Sequence, residues 1–220
     1  MLNNVSINNA HQLNIKSILL DFDGVIASES TKILCDTCYQ FISEHIHIEY
    51  VVFSDMFRTF MPFPLSISKS AILKATGLED LGASFIERIN SVSADISGAT
   101  FCLDFCRKKD IPVYVFSTGD GRAKKYDEIK SMIDPDYIVI DPGLSKLVPS
   151  SYTRLFHSKN INPQECLVID DSYAALGSAK HAGAITGLMK NSMNCSDCFD
   201  KYSAFIDYIF DDLDQLTEYL

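Results

Sequence analysis

Five short apolar runs constrain this chain more than anything else in it. They are SILL (17–20), VYVF (113–116), YIVI (137–140), CLVI (166–169) and AITGLM (184–189). Each is continuous rather than alternating. A strand with one wet face alternates with period two, whereas a strand buried on both faces does not, and such runs belong in a parallel sheet. Parallel neighbours need crossover connections, and the stretches between the runs have helical spacing. SGATFCLDFCRKKD (97–110) places Phe101, Cys102, Phe105 and Cys106 on one side and ends in basic residues. YAALGSAKHAG (173–183) is alanine-rich and stops at Gly183. Strand alternating with helix predicts an open α/β sheet with right-handed crossovers.

One interval breaks the rhythm. Residues 28–95 hold no clear buried strand. TKILCDTCYQFISEHI (31–46) puts Leu34, Cys38, Phe41 and Ile42 on one helical face, and SISKSAILKATG (66–77) reads as another helix closed by glycine. The expected organisation is therefore a core of residues 1–27 and 96–220 with a helical unit, 28–95, inserted after the first strand. The asparagine-rich start, MLNNVSINNAHQLNIK, lacks an apolar segment of signal-peptide length and reads as a frayed leader.

Charge and length exclude some classes. A net charge of −10 argues against nucleic acid or an anionic membrane as main partner, since binding phosphate backbones takes clustered Lys and Arg. No apolar run approaches the roughly 18 residues of a spanning helix. Seven cysteines with no mark of secretion read as reduced thiols in a cytoplasmic protein. CDTC (35–38) and CSDC (195–198) have the spacing of zinc half-sites, but Cys38 falls on an apolar helical face and the reading of buried structural thiols is preferred.

Ligands of open α/β sheets bind beyond the carboxyl ends of the strands, and the residues there carry the chemistry. The first run leads into Asp21 and Asp23, the second into Ser117, Thr118 and Gly119, and the fourth into Asp170, Asp171 and Ser172. After the third run, LSKLVPSSY supplies Lys146 and a helix-starting Pro149. Clustered carboxylates repel and raise one another's pKa. A divalent cation resolves that conflict, and oxygen-only ligands suit Mg²⁺. A cation, a lysine and a hydroxyl then make a place for a phosphoryl group. One aspartate can attack phosphorus while a second, two residues on, exchanges protons with the leaving oxygen and with water.

DFDGV, VFSTG, the downstream Lys146 and LVIDDS resemble the motifs of the haloacid dehalogenase superfamily of phosphotransferases. The likeness runs from about Lys16 to the end of the chain. The interval of 24 positions between Lys146 and Asp170 resembles the phosphoglycolate phosphatase and β-phosphoglucomutase subgroup, and YSAFIDYIFDDLDQL resembles its final strand and helix. The resemblance implies a Rossmann-like core with a type-1 helical cap over 28–95. It implies Asp21 as nucleophile and Mg²⁺ ligand, and Asp23 as general acid/base with its backbone carbonyl on the metal. It implies Ser117 and the Thr118 amide as phosphate clamp, Lys146 as the charge-balancing lysine, Asp171 as direct metal ligand and Asp170 as a water-mediated one. Asp23 also favours phosphate chemistry, because the dehalogenases of the superfamily lack that carboxylate.

Leu147 after the lysine and Ala175 after the final motif depart from common family residues without removing a reactive group. FRTFMPFPL (57–65) is unlike the usual glycine-bearing specificity loop; Arg58 within it is the candidate for substrate binding. The expected activity is a Mg²⁺-dependent phosphatase acting on a small phosphorylated metabolite. A phosphohexomutase would use the same groups. A phosphonatase would need a cap lysine such as Lys69 or Lys74, and a non-catalytic binding protein on this scaffold is a further alternative.

Overall fold

The computed structural model describes residues 14–60, 63, 65–92, 95–117, 127, 129–139, 141, 143–191, 193–194 and 199–220. Among them, six strands form one parallel sheet: β1 (Ser17–Leu20), β2 (Val113–Phe116), β3 (Ile138–Val139), β4 (Cys166–Asp170), β5 (Ile185–Met189) and β6 (Tyr208–Phe210). Their order is β3-β2-β1-β4-β5-β6, so β1 lies between β2 and β4 in the middle of the sheet. Register aligns Leu20 with Val115 on one side and Ile169 on the other. The carboxyl ends of β1 and β4 are thereby level, and the Asp21 amide continues the ladder to the Ile169 carbonyl at 2.9 Å.

Every residue of β1, β2 and β4 is buried, which is why these runs do not alternate. Their side chains divide by parity. Ile18, Leu20, Val113, Val115, Leu167 and Ile169 pack on one face with Cys102, Leu103 and Cys106 of α5 (Thr100–Lys108). Leu19, Tyr114, Phe116, Cys166 and Val168 pack on the other with α6 (Pro149–Ser158) and α7 (Tyr173–His181). Pro149 opens α6 in its first turn, where a missing N–H costs nothing. The Ser172 hydroxyl caps α7, and Gly183, at φ +92°, carries the chain out of it.

Between β1 and β2 lie α1 (Ser30–Ser43), α2 (Tyr50–Phe60), α3 (Leu65–Thr76) and α4 (Gly82–Asn90). They enclose their own apolar cluster, which includes Leu34, Cys38, Phe41, Ile42, Phe53, Phe57 and Phe85. One member comes from far along the chain: Met193, in the turn after β5. A short helix, α8 (Phe199–Tyr202), precedes β6.

The structure corrects several expectations. The leader does not extend to residue 16: Ile15 is buried in the core, and the Lys16 amide bonds the Glu165 carbonyl at 2.8 Å. Residues 1–13 lie outside the described residues. The inner face of α5 is Cys102, Leu103 and Cys106, while Phe101 is exposed. Phe57–Phe60, the start of the stretch set beside the family's specificity loop, complete α2, with Phe57 buried. The closing helix is a 3₁₀ turn, Leu213–Glu218, capped by Asp212. The third strand is only Ile138–Val139, because Tyr137 ends a preceding turn; Ile140 lies outside the described residues. Cys35 and Cys38 are buried in the helical unit, and burial pushes the Cys35 thiol up to about 11, so it stays protonated. CSDC (195–198) lies outside the described residues. Among the described residues no helix is long and apolar enough to cross a membrane.

Two glycines test the packing. A Cβ at Gly187 of β5 would sit 2.5 Å from the buried Phe210 ring, whereas one at Gly177 of α7 would meet Phe205 at an ordinary 3.7 Å. Gly187→Ala should cost about 1–3 kcal/mol through overpacking. Gly177→Ala should gain up to about 1 kcal/mol from helix propensity. Urea unfolding midpoints would show the opposite signs.

Candidate active site

The buried β1 delivers Asp21 to the carboxyl edge of the sheet, and the chain then turns sharply. The Gly24 amide bonds the Ala27 carbonyl at 3.0 Å and the Ala27 amide bonds the Phe22 carbonyl at 2.9 Å. Phe22, Val25, Ile26 and Ala27 are all buried, so the loop bearing the two aspartates is anchored in the core on both sides of Asp23. Gly24 has φ +80°, and a Cβ there would lie 2.0 Å from Asp171 Oδ2. Position 24 therefore excludes a side chain on two independent grounds.

Lys146, Asp21 and Asp170 converge. Lys146 Nζ lies 2.5 Å from Asp21 Oδ1 and 2.7 Å from Asp170 Oδ2, and the lysine is buried. The Phe22 amide also donates to Asp21 Oδ1, at 2.6 Å. Asp170 ends β4 and takes the Ser172 amide on Oδ1 at 2.9 Å. Asp171 follows it. One carboxylate oxygen from each of Asp21, Asp170 and Asp171 falls within a group no more than 4.8 Å across. The Asp23 carboxylate stands apart from that group and accepts from the Ser30 hydroxyl at 2.8 Å.

Three acids against one ammonium leave an excess of negative charge in a dry place. Burial pushes Asp21 up to about 7; Lys146 opposes this, and Asp170 and Asp23 add to it. Burial pushes Asp171 up to about 8, with Asp170 and then Asp21 adding to it. For Lys146, burial works against the charge, but Asp170 and Asp21 outweigh it and the pKa rises. An all-oxygen set that cannot hold its own charge matches the needs of a hard divalent cation, so these residues fit one.

Ser117, just past β2, is buried, with its amide on the Val139 carbonyl at 3.2 Å. Thr118 lies outside the described residues. Arg58 is on α2, where its Nε donates to the Met193 carbonyl at 3.0 Å and its Nη1 to Asp55 at 2.8 Å; the acid cluster is not among these partners. Sequence reasoning missed several groups around the acids. Ser30 and Thr31, in the first turn of α1, hold Asp23 and Asp171 respectively. Asn191, past β5, donates to Asp171 Oδ2 at 2.8 Å, and Asn194 to the Asp171 carbonyl at 2.7 Å. The rule that sends ligands to strand ends points to Asn191 when it is applied to the fifth run. Tyr152 of α6 packs edge-on to Phe116, and its buried hydroxyl has no hydrogen-bond partner among the described residues. Burial, then Asp170 and Asp21, hold its proton on.

The fold is that of the haloacid dehalogenase-like hydrolases and phosphomutases. A β-phosphoglucomutase from Clostridium difficile superposes with a TM-score of 0.67 at 16% identity, covering 93% of this chain and 97% of that one. CbbY from Rhodobacter sphaeroides, in complex with phosphate, gives 0.68 at 15% identity, covering 92% and 96%. A HAD family hydrolase from Deinococcus radiodurans with bound phosphate and sodium gives 0.68 at 19%, covering 92% and 93%. No protein-family model and no curated protein matches the chain.

The raised carboxyls have a consequence for stability. Asp171 has an ordinary value of 3.8 and a folded value of about 8, so the fold favours its protonated form. That contribution is complete below 3.8 and lost as pH rises through about 8. In EDTA, Asp171→Asn should therefore gain in melting temperature relative to wild type between about pH 5 and about pH 9. A gap that stays constant with pH would show that Asp171 ionises freely in the fold.

Proposed function

We propose that the protein is a Mg²⁺-dependent phosphatase that hydrolyses a small phosphomonoester through a phosphoaspartyl intermediate on Asp21. The observation that carries this reading is the buried Lys146 bridging Asp21 and Asp170, with Asp171 in the same cluster and Asp23 two residues on from Asp21 in the same loop. Asp21, Asp170 and Asp171, with the Asp23 carbonyl, would hold the cation. When bound, the cation would offset the charge of the acids and of the phosphoryl oxygens.

The protein's own groups divide the remaining work. The described donors to Asp21, the Phe22 amide and Lys146, both fall on Oδ1, which leaves Oδ2 to attack phosphorus. Lys146 neutralises charge shared by the nucleophile and the incoming phosphate. Asp23 gives its proton to the ester oxygen as the P–O bond breaks, then takes one from the water that attacks the phosphoaspartate. Ser117 and the Thr118 amide bind phosphoryl oxygens. The helical unit 28–95 acts as a cap that excludes water and selects substrate, with Arg58 as a contributor. The substrate is a small phosphorylated metabolite, and the protein works in the cytoplasm.

A phosphomutase would use the same groups, and the likeness in fold to a β-phosphoglucomutase keeps that reading open. In it, the phosphoryl group on Asp21 returns to a sugar hydroxyl rather than passing to water.

Asp21 and Asp23 are chemically alike but have different work, and substitution separates them. Asp21→Asn should abolish p-nitrophenyl phosphate turnover and leave no labelled enzyme. Asp23→Asn keeps the nucleophile but loses the base for the second step. Because p-nitrophenol leaves without a proton, a burst near one equivalent should appear, with phosphate on Asp21 by mass spectrometry after acid quench. Label on any other residue would overturn the assignment. Wild-type turnover should vanish in EDTA and return with Mg²⁺, and full activity in EDTA would sink the mechanism. Production of an isomeric sugar phosphate, with no release of inorganic phosphate, would favour the mutase. Arg58→Ala should raise KM for the physiological ester more than for p-nitrophenyl phosphate.

A further inference from the structure

Asp171 is the one acid of the cluster whose two described side-chain donors both fall on a single oxygen and neither of which is charged. Asn191 Nδ2 reaches Oδ2 at 2.8 Å and Thr31 Oγ1 reaches the same Oδ2 at 3.2 Å. They arrive from different parts of the fold, the turn after β5 and the first turn of α1. The Asn191 amide is itself oriented. Its Oδ1 accepts from the Met193 amide at 2.9 Å and the Asn194 amide at 3.1 Å, which fixes its nitrogen towards Asp171. The Asp171 carbonyl is held as well, by Asn194 Nδ2 at 2.7 Å. Gly24 packs close to the same oxygen, since a Cβ there would lie 2.0 Å from Oδ2.

A carboxylate with one oxygen engaged by two donors has one oxygen to offer. Ca²⁺ accepts two-oxygen carboxylate ligands, whereas Mg²⁺ demands near-octahedral geometry with one oxygen from each. Groups that orient a ligand also set affinity, and removing them typically costs about 10–100-fold. We infer that Asn191 and Thr31 are positioning residues that hold Asp171 as a one-oxygen ligand and so set both the strength of Mg²⁺ binding and its preference over Ca²⁺. The inference rests on the proposed metal site and adds two residues to it, one of them supplied by the helical unit.

The test is calorimetric titration of the metal-stripped full chain with Mg²⁺ and, separately, with Ca²⁺. Asn191→Ala should weaken Mg²⁺ about tenfold and Ca²⁺ distinctly less, narrowing the preference. Thr31→Val, which loses only the hydroxyl, should act in the same direction and more weakly, and Thr31→Ser should restore wild-type values. Melting in EDTA shows whether Asn191→Ala disturbs the turn; if it does, Thr31→Val and Thr31→Ser decide. Wild-type Mg²⁺ and Ca²⁺ affinities in both Asn191→Ala and Thr31→Val, or an equal loss for both ions, would overturn the inference. A wild-type chain that takes up neither ion would instead remove the metal site on which it rests.

Discussion

The Lys146 ammonium is the interaction on which the rest of the site depends. It touches one oxygen of Asp21 and one of Asp170, acids that come from adjacent strands and end level with each other. Remove that charge and three closely spaced carboxylates, Asp170 buried and Asp21 and Asp171 partly so, face one another without their ammonium. Breaking a buried pair by deleting one partner typically costs about 3–5 kcal/mol, because the charge left behind is unpaired. The loop carrying Lys146 is correspondingly well fixed: the Ser145 amide bonds the Ser151 hydroxyl at 3.0 Å, and the Val148 amide bonds the Ser145 carbonyl at 3.1 Å before Pro149 starts α6.

One ammonium is not enough, however. Asp21 and Asp171 remain pushed up to about 7 and about 8 despite it. Asp21 and Asp171 thus hold their protons more tightly than ordinary aspartates, because burial and the neighbouring acids disfavour their charge. That is a poor arrangement for stability, and one that a hard cation could relieve.

Much of this was legible in the sequence, for identifiable reasons. SILL and VYVF read as strands at their true limits because burial on both faces leaves no alternation to blur the ends. Asp21, Lys146, Asp170 and Asp171 follow from the rule that ligands meet strand ends. What was not legible depended on contacts between distant segments. Ile15 belongs to the asparagine-rich start by composition, and only the pairing of Lys16 with Glu165 draws it into the core. Phe101 and Leu103 exchange places as inner and outer residues of α5, because periodicity over so short a helix does not fix its rotation. The strand-end rule places Asn191 at the sheet edge, but its contact with Asp171 depends on the packing of β5 beside β4. Charge alone singles out Arg58 in the sequence, and its described partners are Asp55 and the turn after β5.

That turn belongs to two bodies at once. Asn191 grips an acid at the sheet edge, while Met193, two residues later, is buried in the apolar cluster of the helical unit and receives Arg58 on its carbonyl. Lifting the helical unit off the turn would expose that methionine, at roughly 1.5–3 kcal/mol, and give up the hydrogen bond, at about 1 kcal/mol. Met193 and the Arg58 hydrogen bond therefore tie the helical unit to the same turn that holds Asp171.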